Sequence, residues 1–182
     1  MDRTLFNDPN LIFKEEQRFR QLWIWGLVIG LDVLFIVIWG YGIVCQLIFN
    51  KPWGNNPMSD SMLIIISLLV LVFMMTLTLL MYYARLITVV RYDGLFIRFI
   101  PFHLSFHSIS LEEVTHCEVR EYKPIREYGG WGIRYGKAGK AYNVSGNKGV
   151  LFVFANGKKL LIGSQKPEEL YNAIKCVAKH IE

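Results

Sequence analysis

The sequence predicts an α+β membrane protein: a two-helix transmembrane hairpin, then a PH-like (pleckstrin-homology-like) antiparallel β-sandwich or barrel of about seven strands, capped by a C-terminal α-helix. Three observations predict it. Two apolar runs, Leu22–Phe49 and Met62–Ala84, are each long enough to cross a bilayer; the chain turns to strand-like alternation after Arg85; and helical periodicity returns only from Pro167.

The 182 residues are 53% hydrophobic, too apolar for an ordinary soluble domain, and the excess sits in the first half. Crossing the hydrocarbon takes roughly 20 apolar residues at ~1.5 Å rise each. Met62–Ala84 carries no charge and Leu22–Phe49 carries only Asp32. The first run begins too late, runs too long and lacks the small-residue cleavage site of a secretory signal, so a retained helix is expected. Basic residues set the orientation. Arg3, Lys14, Arg18 and Arg20 precede the first run, Arg85, Arg91 and Arg98 follow the second, and the connecting loop 50–61 has only Lys51. Both termini are therefore expected in the cytoplasm. The predicted organisation is a juxtamembrane arm over 1–21, a hairpin over 22–84 with helices at 22–49 and 62–84, and a cytoplasmic domain over 85–182.

The arm mixes Phe13, Phe19, Trp23 and Trp25 with Lys14, Arg18 and Arg20, a composition suited to the headgroup layer. Pro52 to Pro57 form the turn of the hairpin, and Ser59, Asp60 or Ser61 can cap the second helix. Leu86–Tyr92 is rich in β-branched residues, and Asp93-Gly94 is a hairpin signal. Leu95, Ile97 and Phe99 alternate with Phe96, Arg98 and Ile100 up to Pro101. A strand is expected over 103–107, where Leu104 and Phe106 alternate with His103, Ser105 and His107. Val114–Tyr122 is extended. Residues 123–149 are glycine-rich and irregular, with short strands at Gly132–Tyr135 and Lys140–Val144. Val150–Phe154, the turn Asn156-Gly157 and Lys159–Ile162 form a second hairpin. Pro167, Glu168 and Glu169 open a helix with Leu170, Ile174, Val177 and Ile181 on one apolar stripe. Strands followed by one capping helix give the outline of a PH-like domain.

Three longer stretches carry a resemblance: Arg120 to Arg134, Lys140 to Gly146, and Ile162 to Leu170. With the arm Phe13 to Gln21 and the loop Pro52 to Asp60, they resemble a family of small prokaryotic membrane proteins bearing a bacterial PH-like domain. The resemblance implies the prokaryotic cell (inner) membrane as location, and it brings no known reaction or catalytic residue.

Two sets of residues invite a functional reading. Asp32 is costly inside a membrane unless paired, solvated or protonated. Antiparallel helices place it within about a turn of Thr76 and Thr78, which makes it an interhelix polar contact or, alternatively, a proton or cation site. Tyr122, Arg126, Tyr128, Trp131, Arg134 and Tyr142 gather residue types that dominate binding hot spots around flexible glycines. They form a partner-binding segment, or else a loop whose arginines pair with Glu121 or Glu127 and whose aromatics pack on the sheet.

Other chemistries find little support. Gly130, Gly132 and Gly136 miss the nucleotide-binding fingerprints. On a strand, His103 and His107 lie about 13 Å apart and cannot share a metal. His116 and Cys117 point to opposite faces. Cys45, Cys117 and Cys176 read as small packing residues, and Asn143-Val144-Ser145 as a chance match to a glycosylation pattern. The charge of +5 is too dispersed for nucleic acid. No catalytic set, cofactor or nucleotide site is expected.

The expected function is a membrane-anchored, non-enzymatic scaffold or adaptor that forms a homo-oligomer or joins a larger membrane complex. The alternatives are a lipid-sensing module for anionic headgroups and a small subunit of a channel or transporter.

Overall fold

The computed structural model describes residues 10–136 and 138–178. They fall into two units, residues 20–82 and a second assembled from the residues before and after that stretch. Arg3 and Ile181, used in the readings above, lie outside the described residues.

The first unit holds the two apolar helices. α1 (Leu22–Ile43) continues through one wider turn, Val44–Ile48, in which Phe49 N donates to Val44 O. α2 spans Asp60–Tyr83. Both are long and apolar enough to cross a membrane. Their polar groups are tied down locally. Gln46 Nε2 donates to Met58 O at 2.7 Å and to Asp60 Oδ1 at 2.8 Å, closing the loop between the helices. Trp39 and Trp53 lie 5.7 Å apart between ring centres. Gly42 is glycine because a Cβ there would meet the Trp53 ring at 2.7 Å.

The second unit holds two open sheets, a short helix and a terminal helix. In the first sheet β1 (Leu11–Arg18), β2 (Arg85–Arg91), β3 (Gly94–Ile100) and β4 (His107–Ile109) lie in that order. β5 (Val114–Glu121), β6 (Gly132–Gly136), β7 (Gly139–Asn143), β8 (Lys148–Phe154) and β9 (Lys159–Gly163) form the second, ordered β5-β8-β9-β7-β6. Most pairs are antiparallel, but β7 and β9 run parallel, so the purely antiparallel expectation is corrected. Nor do the sheets close into a barrel. α4 (Pro167–Val177) touches β1 and β2 of one sheet and β5 and β8 of the other. Its Leu170, Ala173 and Ile174 join Leu86, Val90, Phe99, Val150, Phe152 and Ile162 in one core.

The largest departure from the sequence reading is β1. Residues 11–18 are not a free arm but an antiparallel partner of β2, with Arg18 opposite Arg85. The strand was hidden because its inward positions are Phe13, Glu15 and Gln17, two of them polar. Burying them requires partners, and the last residue of β9 and the segment just after it supply these. Glu15 Oε2 accepts from Ser164 Oγ at 2.6 Å, and Glu15 Oε1 from Gln165 N at 2.7 Å. Gln17 Nε2 donates to Gly163 O at 2.7 Å. On the outer face, Glu16 accepts from Arg18 at 2.8 Å and Arg85 at 3.2 Å. Partial burial works against its charged form, but these two arginines outweigh it and hold the carboxyl below its usual range.

Two turns also differ. The tip of the first hairpin is Tyr92-Asp93, with Gly94 paired to Arg91 and taking φ +144°, a conformation glycine adopts without strain. Residues 101–106 form a turn rather than a strand, and only His107–Ile109 pairs with β3. The rings of His103 and His107 consequently meet edge to face at 4.1 Å, so the wide separation expected of a strand does not occur.

Candidate functional site

The aromatic segment begins where β5 ends. Pro124 opens a short helix, α3 (Pro124–Tyr128), which Gly129 closes in the left-handed region at φ +73°. Proline at the start and glycine just past the end is the expected asymmetry for a helix, and it was the available signal in a stretch read as irregular. Glu127 staples the helix: its Oε1 accepts from Lys123 N at 2.7 Å, and its Oε2 takes Arg120 at 2.8 Å.

This segment covers the outer face of the second sheet. Tyr122 and Tyr128 are buried against Ala141, Leu151 and Leu161, with their rings edge to face at 5.8 Å. Burial pushes the Tyr122 phenol up to about 12 and raises that of Tyr128. Tyr142 is buried from the opposite face, in the main core. Three of the six residues singled out from the sequence are therefore packing groups. A sheet with two apolar faces needs cover on both, and these tyrosines provide part of it.

Arg126, Trp131 and Arg134 remain at the surface. Arg126 and Arg134 are exposed and Trp131 is half-buried. Trp131 Nε1 donates to Gly146 O at 3.2 Å, and Arg134 Nε donates to Trp131 O at 2.8 Å. The acids that the sequence offered as their partners are engaged elsewhere, Glu127 by Arg120 and Glu121 by Asn147 Nδ2 at 2.6 Å. Sequence reasoning missed Ile125, which is 68% exposed; Tyr135, an aromatic of the same segment, is 75% exposed. The accessible group is thus two cations beside an indole, an isoleucine and a tyrosine. These are residue types that dominate protein interfaces.

A second cluster lies near the start of β4. His103 Nδ1 accepts from Phe99 N at 3.3 Å. The His103 ring stands edge-on to Tyr142 at 5.6 Å, and Lys140 lies over Tyr142 and Tyr135. Burial, then repulsion from His107 and Lys140, lowers the His103 pKa below its ordinary value. Among the described residues, no group of three or more His, Cys, Asp and Glu side chains is arranged to hold a metal ion. Cys117 is buried, and burial pushes its thiol up to about 12. Cys176 is exposed rather than packed.

In the helical unit, Thr78 Oγ1 donates to Asp32 Oδ2 at 2.8 Å. Thr76 turns away, donating to Val72 O of its own helix at 2.7 Å. Asp32 Oδ1 is buried without a hydrogen-bond partner among the described residues. It lines a groove of about 580 Å³ together with Phe35, Trp39, Met74 and Thr78.

A search among curated proteins found no match. One family profile spans almost the whole chain, matching residues 5–180. The chain belongs to DUF6141, a family of unknown function.

Proposed function

We propose that the protein is a membrane-anchored, non-enzymatic scaffold whose two-sheet unit, a PH-like variant, assembles protein partners at the cytoplasmic face. One observation carries the reading: β1 and β2 are hydrogen-bonded neighbours, yet both apolar helices lie between them in the chain. A pair of crossings flanked by paired strands must leave and return on one side of the bilayer. With the basic residues Arg18, Arg20, Arg85 and Arg98 on that side, the positive-inside rule makes it the cytoplasm. The domain is then held by two covalent strands, which favours an adaptor of fixed orientation over a freely ranging one.

Support for the PH-like reading comes from two sheets over one core and a terminal helix across their open end. The surface offered for assembly is Arg126, Trp131 and Arg134, with Ile125 and Tyr135. Aromatic and arginine groups of this kind dominate protein interfaces. The test is native mass measurement of the protein extracted in lipid particles. Replacing Arg126, Trp131 and Arg134 together by alanine should reduce the mass of the recovered assembly while leaving the protein in the membrane. An unchanged assembly would remove this surface from the proposal.

A further inference from the structure

The turn between β3 and β4 presents two large apolar side chains to solvent: Phe102 is 60% and Leu104 is 89% exposed. Neither belongs to the core cluster, and the Phe102 ring only touches it from outside, 6.0 Å from that of Phe99. Their neighbours are basic or aromatic. Arg98 Nε donates to His103 O at 3.3 Å, and its guanidinium lies over the Phe106 ring at 5.8 Å. His107 packs on His103. An apolar tip with a cationic flank suits the boundary between headgroups and acyl chains.

Strand register says which end of the sheet this is. Ile100, one residue before the turn, pairs with Arg85, and Arg85 pairs with Arg18. Those are the strand ends through which the chain passes to the two apolar helices. Ala84 alone separates β2 from α2, and residues 19–21 separate β1 from α1. Adjacent strands lie about 4.8 Å apart and each residue reaches about 3.5 Å. Phe102 therefore starts within roughly 10–15 Å of both helix connections, a distance comparable to the headgroup layer plus one side chain. The other end of the same hairpin differs. Its tip, Tyr92-Asp93, carries a carboxylate held by Arg91 at 3.0 Å.

We propose that the β3–β4 turn is a lipid-contact site, at which Phe102 and Leu104 enter the acyl boundary of the leaflet beside the helical hairpin while Arg98 and His107 meet lipid phosphates. The site rests on the membrane-anchor reading and adds to it a third point of contact. Three points fix a plane, so the turn sets the tilt of the domain as well as its tether.

The test uses the full chain in nanodiscs of phosphatidylethanolamine and phosphatidylglycerol, with Cys45 and Cys176 replaced by serine and the buried, unreactive Cys117 kept. Spin labels are placed singly through Leu104→Cys, Asp93→Cys and Val37→Cys. The expected result is loss of accessibility to a water-soluble relaxant at position 104, matched by a gain toward oxygen, while position 93 stays open to water. A label at 104 as open to water as that at 93 would overturn the proposal, and so would one shielded from the water-soluble relaxant with no gain toward oxygen, the mark of a protein groove. Position 37 keeps the two readings apart. If it reports lipid while 104 reports water, only the lipid-contact site fails; if it too reports water, the anchor reading fails with it. As a check on folding, Phe102→Ser with Leu104→Ser should leave the thermal melting of the two-sheet unit unchanged. A lowered melting temperature would show these side chains to be packing groups and overturn the proposal.

Discussion

The helical unit and the two-sheet unit satisfy their side chains in opposite ways. In the helices the large apolar groups face outward: Leu27, Ile36, Val37, Leu69, Phe73 and Met75 are all more than half exposed, and a part-buried polar contact joins Asp32 to Thr78. In the two-sheet unit apolar groups fill the interior, and the buried polar contact is the Glu15–Ser164–Gln165 cluster. The difference is the one that helices in hydrocarbon and sheets in water would produce, as the proposed function requires. An exposed leucine in a helix flanked by water is an expense, whereas in hydrocarbon it is the rule. A buried carboxylate tied to two donors strengthens the two-sheet fold, while the same group in a membrane helix has few donors to find.

The sharpest way to break this contrast is to empty a core site. Phe152→Ala, at a fully buried position of β8, should destabilise the two-sheet unit by about 4 kcal/mol. Thermal or denaturant melting of that unit should record it, with the helical signal of α1 and α2 unaffected. Next in size is Glu15→Ala, which removes the acceptor for Ser164 Oγ and Gln165 N and should cost about 2–3 kcal/mol. The loss should also free β1, raising its hydrogen exchange ahead of the other strands. A smaller effect is expected in the other solvent. Asp32→Leu should change helical stability in bicelles by only about 0.6 kcal/mol, because Thr78 can turn to its own helix as Thr76 does. A loss of several kcal/mol would make Asp32 a structural keystone and undo the comparison.

The smallest effect is set by pH and concerns the two-sheet unit alone. The His103 pKa lies below 6.5 in the folded chain, so the unfolded chain takes up the proton first. Stability should therefore fall as pH drops through 6.5 and level off below the folded pKa. His103→Gln should flatten that part of the melting profile. Glu16, whose pKa is lowered from 4.5, contributes stability that is lost only as pH falls below that value, so the two windows can be separated by titration.

What could be read from the sequence follows from which pattern each element obeys. The helices were legible because length and apolarity alone define them. β3 was legible because Leu95, Ile97 and Phe99 face in while Phe96, Arg98 and Ile100 face out. β1 was illegible because its inward face carries Glu15 and Gln17, whose partners sit almost a whole chain length away. The turn at 101–106 alternates as well as any strand does, but Phe102 and Leu104 point to solvent, so alternation there reported no buried face. In the aromatic segment, composition identified the residue types without showing that Tyr122, Tyr128 and Tyr142 spend them on packing. Arg126, Trp131 and Arg134 were correctly separable only once the sheet beneath them was known.

The pairing of β1 with β2 also has a consequence for biosynthesis. β1 leaves the ribosome before either helix, and its partner emerges only after both have been made, so the first strand of the domain must wait, unpaired, until the hairpin is complete. The outward residues Lys14, Glu16 and Arg18 suit that wait, since charged positions along an unpaired strand discourage pairing with the wrong chain. Its inward residues Glu15 and Gln17 find their partners later still, when the chain reaches Gly163, Ser164 and Gln165. Folding of the two-sheet unit is thereby placed after synthesis of the helices, and a chain whose hairpin fails to form would be left with an orphan strand for quality control to find.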